Sequence, residues 1–354
     1  MGELILALGF SFILSAALAL LLTPRIREWA LSKGVVDHPE GRKAHPTSIP
    51  LLGGVALYLT FMVILSVPFY FWRGLLFQEK GYLVGIIIGS SLIFLLGLYD
   101  DLKGASTIFK IGVQIIAALV LVNFGLVVTA LTSPLRQPLY LGAWGIPFTI
   151  LWVVFITNGL NLIDGLDGLA AGVSVIVALV LLTVGLMREG ALTAFLCAGI
   201  AGGCLGFLRY NFPPARIFMG DAGSMLLGFL LASISLIRPL KTVAAVALFV
   251  PIVALGVPIV ESFTTIIRRF WRRKSPLAPD RGHIHHILLD LGFTPKVTVI
   301  TLYLISGLFG LVCIGFVTAN PRLMVILFFV LALASLVGVF KLHSLNNGRK
   351  SDNG

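Results

Sequence analysis

Blocks of about twenty apolar residues recur along nearly the whole chain, the length an α-helix needs to cross a hydrocarbon core. Eleven are legible, at 3–22, 50–72, 81–99, 108–127, 146–163, 168–187, 191–208, 222–237, 242–267, 297–317 and 321–341. Hydrophobic residues make up 58% of the 354 and charged residues 12%. That charge is roughly half the 25% typical of soluble domains, too little to cover a water-facing surface. A soluble protein, a disordered chain, a collagen-like chain and a disulfide scaffold are therefore excluded. The expected fold is an all-α integral membrane protein with about 11 transmembrane helices. One polytopic domain is expected over 1–341, with a short disordered tail over 342–354. The first block lacks a basic leader and runs straight into Arg25 and Arg27, so it reads as a retained anchor. Cys197, Cys204 and Cys313 each lie inside an apolar block and read as small core residues.

Charge sets the orientation. When each Lys and Arg is assigned to its nearer membrane face, 19 fall with the connectors 23–49, 100–107, 164–167, 209–221, 268–296 and 342–354, and 7 with the opposite set. The positive-inside rule then puts the N-terminus outside and the C-terminus in the cytoplasm. The net charge of +11 is accounted for by topology and anionic lipid headgroups, with no nucleic-acid partner implied. Nearly all carboxylates and all six histidines follow the basic side. Any chemistry is therefore expected at the cytoplasmic membrane face.

Four clusters there could carry it. The first is Asp100-Asp101-Leu-Lys103, ending the third block. Adjacent carboxylates at a membrane boundary repel, so one pKa should rise unless a cation sits nearby, which suits a general base beside a metal. The second is Asn158, Asn161, Asp164 and Asp167. Their spacing of three makes an oxygen-rich stripe on one helix face, suited to hydroxyls, amides or a hard cation. The third, Arg216-Ile-Phe-Met-Gly-Asp221-Ala-Gly-Ser224, puts Asp221 where a helix begins. It reads either as a helix cap or as an oxygen ligand for Mg²⁺. The fourth is Arg281-Gly-His283-Ile-His285-His286, better suited to phosphate than to zinc. Lys43 and His45 form a further basic turn, and Glu261 is an acid within the ninth block. Together these groups suit phosphoryl transfer from a soluble nucleotide donor to a membrane lipid.

The ordered motifs DDLKG, NGLNLIDGLDGLAAG, RIFMGDAGS and RGHIHH resemble the polyprenyl-phosphate N-acetylhexosamine-1-phosphate transferases, from Gly34 to about Gly292. GVVDHPEGRKAHPTSIPLLGG and SPLAPDRGHIHHILLDLGF are similar to the GlcNAc branch rather than the muramoyl-pentapeptide branch. The resemblance implies Mg²⁺, with Mn²⁺ as a substitute, on Asp221 and Asn161. It implies Asp100, Asp101 and Asp164 as catalytic residues, Asp100 being the base for the lipid phosphate. Asn158, Asp167, Lys103, Arg281, His283, His285, His286, Lys43 and His45 are implied as substrate contacts. Glu261 stands where many members of the branch carry Asp. The implied partners are a UDP-sugar donor, undecaprenyl phosphate and membrane lipids, in a bacterial inner membrane, with a homodimer possible. A transporter is the competing class, but polar groups crowding the cytoplasmic helix ends, with no internal repeat, argue against it.

Overall fold

The computed structural model describes residues 2–37, 48–76, 79–131, 139–237, 288–289, 291–319, 322–335 and 337. In chain order its helices are α1 (Gly2–Ser32), α2 (Gly53–Tyr70), α3 (Arg73–Leu76), α4 (Lys80–Lys103), α5 (Thr107–Asn123), α6 (Gly145–Ile163), α7 (Leu169–Met187), α8 (Ala191–Asn211), α9 (Gly220–Ser235), α10 (Pro295–Thr318) and α11 (Arg322–Ser335). Two-residue strands pair antiparallel at β1 (Val36–Asp37) with β2 (Ile49–Pro50), and at β3 (Ala130–Leu131) with β4 (Leu139–Tyr140).

Seven of the described helices are long and apolar enough to cross a membrane, and α5, α9 and α11 are shorter apolar helices. Together they meet every expected block except 242–267, which lies outside the described residues, as does the tail. Cys197, Cys204 and Cys313 are buried free thiols.

The first helix is longer than its apolar block. α1 continues through Pro24 and past Arg25 and Arg27 to Ser32. Proline has no N–H, so it leaves the carbonyl four residues earlier without its helical donor. The Tyr210 hydroxyl donates to that carbonyl, Leu20 O, at 3.2 Å. The Arg27 side chain donates to the Arg216 carbonyl at 3.1 Å. A neighbour thus supplies what Pro24 removes.

α9 is the axis of the structure. It is packed by α4, α6 and α2, and every residue from Ala222 to Ser235 is buried. A helix apolar on all sides belongs inside such a sheath. The segment leading into α9 is fixed by backbone hydrogen bonds: Gly53 N–H to Phe218 O at 2.9 Å, Gly54 N–H to Met219 O at 2.8 Å, and Phe218 N–H to Pro50 O at 2.8 Å. α4 reaches it through Gly97, whose missing side chain would meet the Ala222 backbone. α7 and α8 pack together, α1 covers α8, and α10 lies on α7. The ends of α4 and α6 and the beginnings of α5 and α9 consequently share one end of the bundle.

Candidate active site

Lys110 is the hub of that shared end. The Ser106 side chain caps α5 by accepting from Phe109 N at 3.3 Å. This starts the helix so that Lys110 falls in its first turn. Asp100 closes the connection by accepting from Ala105 N at 2.6 Å. Its other oxygen pairs with the Lys110 ammonium. The same ammonium donates to Asp221 Oδ2 at 2.7 Å. The cation offsets repulsion between Asp100 and Asp221, a different pair from the adjacent Asp100 and Asp101. The groups remain reachable, with side-chain exposures of 11% for Asp100, 22% for Lys110 and 32% for Asp221.

Asn161 completes the group from α6. Its Nδ2 donates to Asp221 Oδ1 at 3.0 Å and lies 2.9 Å from Ser224 Oγ. Asp221 therefore receives one partner on each oxygen, from different helices.

Asp101 faces the other way. Its carboxylate accepts from the backbone N–H groups of Asp221, at 2.8 Å, and Ala222, at 3.0 Å. Those are free donors at the start of α9, and a carboxylate there also suits the helix dipole. The cap thus comes from α4, while Asp221 itself lies inside the helix it was considered to cap. Gly220, at φ +68°, brings the chain so close to Asp101 that a Cβ would collide with the carboxylate.

The stripe on α6 divides. Asn158 pairs with Gln114: its Nδ2 donates to Gln114 Oε1 at 2.6 Å, and Gln114 Nε2 donates back at 3.3 Å. Asp167 accepts from Ala215 N at 2.8 Å. This holds the turn after α6, which Asn211 and Tyr303 also hold by bonding Gly168 at 3.0 and 2.6 Å. The helix ends at Ile163, so four residues in register become two on the helix and two in the turn. Asp164 is partly exposed, yet its carboxyl is held well above the usual carboxylate range. Burial contributes most, followed by the charges of Asp221, Asp101 and Asp167. Lys103 lies over the Tyr99 ring, 5.8 Å from its centroid.

Asp100, Asn161 and Asp221 are thus assembled around Lys110, with Asp101 behind them and Asp164 in their field. Lys43, His45, Glu261, Arg281, His283, His285 and His286 lie outside the described residues. The sequence reading missed Lys110 and Gln114, and named Ser224 only as the end of the third motif. A lysine and a glutamine one turn apart near the start of an apolar helix were the available signal, because intramembrane polar groups mark function.

Among the described residues no three carboxylate, histidine or cysteine side chains converge on a metal position. The oxygen donor on hand is the Asp221 carboxylate, which Asn161 meets through its amide nitrogen. Mg²⁺ characteristically takes one or two carboxylates and keeps waters and substrate phosphates for the rest. The donor set fits such an ion.

The fold and this centre define a polytopic membrane protein with a carboxylate–lysine–amide cluster at one end of its helices. Residues 83–238 match the model of glycosyl transferase family 4. A probable undecaprenyl-phosphate N-acetylglucosaminyl 1-phosphate transferase from Bacillus subtilis is 35% identical over 94% of this chain and 91% of its own length. A decaprenyl-phosphate N-acetylglucosaminephosphotransferase from Mycolicibacterium smegmatis is 33% identical over 83% of this chain and 78% of its own. An undecaprenyl-phosphate alpha-N-acetylglucosaminyl 1-phosphate transferase from Thermotoga maritima is 32% identical over 77% and 79%. The chain belongs to glycosyl transferase family 4.

Proposed function

We propose that this protein transfers GlcNAc-1-phosphate from UDP-GlcNAc to undecaprenyl phosphate, releasing UMP and starting an envelope glycan. The observation that carries the reading is Lys110 held between Asp100 and Asp221, with Asn161 on the same carboxylate. Such a centre can handle a proton and, with a divalent cation on Asp221, would gather phosphates. The relatives' names supply the sugar and the lipid.

In the reaction an oxygen of the lipid phosphate attacks the β-phosphorus of the donor. The bond from that phosphorus to the bridging oxygen breaks, and UMP leaves with the electron pair. Asp100 takes the proton when the acceptor arrives protonated, and Lys110 compensates the charge. Asp221 and Asn161 would hold Mg²⁺, or Mn²⁺ in its place, which when bound neutralises diphosphate charge. Asp101 holds the start of α9, and with it Asp221, against α4. Asp164 and Asp167 would serve the nucleotide side and positioning, Asp167 by holding the turn after α6, with Lys103 as a further substrate contact. Arg281, His283, His285 and His286, helped by Lys43 and His45, would hold diphosphate and amino sugar. Direct attack is preferred to an aspartyl intermediate because a site at a membrane end can receive both substrates together. The orientation is N-terminus out and C-terminus in, placing the centre at the cytoplasmic face of a bacterial inner membrane.

The test is UMP release by purified protein given undecaprenyl phosphate, Mg²⁺ and separate UDP-sugars, including UDP-MurNAc-pentapeptide. Release with UDP-GlcNAc, lost in Asp221→Asn, is expected. Release with another donor would move the substrate, and no release from folded protein would overturn the reading. A burst of one UMP per enzyme without acceptor would overturn direct attack.

A further inference from the structure

Two layers of side chains lie one helical turn apart. The upper layer is Lys110 on α5, Asn161 on α6 and Asp221 on α9. The lower one is Gln114, Asn158 and Met225, on the same three helices in the same order. Gln114 follows Lys110 by four residues, Asn158 precedes Asn161 by three, and Met225 follows Asp221 by four. Those intervals stack residues on one helix face.

Gln114 is fully buried. Besides the reciprocal bonds with Asn158, its Nε2 lies 3.6 Å from Met225 Sδ. Asn158 Nδ2 also donates to the Val154 carbonyl at 2.8 Å. Rotating α5 or α6 by one residue turns its face by about 100° and separates the amides. Within an apolar span no water replaces the lost partners. The amide pair therefore selects one rotation for each helix, and that rotation directs Lys110 and Asn161 at Asp221.

We propose that Gln114 and Asn158 form an amide lock beneath the reacting groups, with Gln114 a positioning residue that acts through Lys110 and Asn161. The inference rests on the transferase reading. It also gives Asn158 a role distinct from substrate contact.

The experiment measures UMP release and thermal unfolding in detergent for wild type, Gln114→Leu, Lys110→Ala, the double variant of these two, Gln114→Asn, Asn158→Gln, and the exchange Gln114→Asn with Asn158→Gln. Gln114→Leu is expected to lower kcat about 30-fold with KM for the UDP-sugar nearly unchanged, as misplacement of reacting groups does. Added to Lys110→Ala it should cost less than it does in wild type, the remainder passing through Asn161, because coupled residues are non-additive. The exchange, which restores the summed length of the two side chains, should recover most of what each single variant loses. Three outcomes overturn the lock: losses that multiply with Lys110→Ala, an exchange that unfolds like wild type yet is no better than Asn158→Gln, or kcat losses that follow only the unfolded fraction. The second would return Asn158 to substrate contact. Wild type that releases no UMP defeats the transferase reading, and the inference falls with it.

Discussion

Two helix contacts in this molecule are built from the same parts and end differently. Where α1 lies on α8, Gly202 and Gly206 admit the backbone of α1 at Phe12 and Ala16. Ser11 and Ser15 donate across the seam to the carbonyls of Phe195 and Gly199, at 2.9 and 2.6 Å. Where α4 lies on α9, Gly97 plays the glycine's part, but the seam ends in Asp100 and Asp101. Small residues let membrane helices approach closely in both cases. One contact is spent on packing alone, while the other carries carboxylates to the start of a buried helix. Close packing is thus a general resource, and the polar groups at its end decide whether it becomes a site.

The comparison predicts graded effects. Asp221→Asn should reduce UMP release the most, by about 1,000-fold, with little change in unfolding temperature, since it removes charge without volume. Lys110→Ala should follow at about 100-fold, read in the same assay. Gly97→Leu should lower both unfolding temperature and turnover per folded molecule, whereas Gly202→Leu should lower the unfolding temperature and leave that turnover intact. Equal losses of turnover in these two glycine variants would erase the distinction between the contacts.

A smaller effect concerns pH in metal-free protein. The Asp164 carboxyl is raised, so folding favours its protonated form. Its stabilising contribution is complete below the ordinary carboxylate pKa of about 4 and is lost as pH rises through the raised value. Asp164→Asn should therefore gain unfolding temperature relative to wild type as pH rises above the ordinary carboxylate range. Ser15→Ala, on the α1–α8 seam, should show a pH-independent loss of about 0.6 kcal/mol, measured by detergent unfolding.

Much of this was legible in the residues. The apolar blocks found the helices because each span must satisfy its own backbone. Asp100, Asn161 and Asp221 stand out in the sequence because oxygen-bearing residues are costly at a membrane boundary, and the fold brings them together. Lys110 was passed over as topology charge, since one lysine near a span end looks like any other basic residue. Asp101 was legible as a carboxylate but not as a cap, because the N–H groups it satisfies lie some 120 residues further along the chain. The four-residue stripe assumed a helix through Asp167, yet the helix ends at Ile163 and the turn is tied to Ala215, Asn211 and Tyr303. Pairings distant in sequence leave no local period to read.

The most direct measurement follows the β-phosphorus of UDP-GlcNAc. With donor labelled there, wild-type protein, undecaprenyl phosphate and Mg²⁺, the label should move into the lipid fraction as UMP appears in equal amount. Asp221→Asn and Lys110→Ala should both suppress the transfer. Label left in water as UDP, with sugar alone on the lipid, would contradict phosphoryl transfer. Unimpaired transfer by both variants would contradict the assignment of this centre.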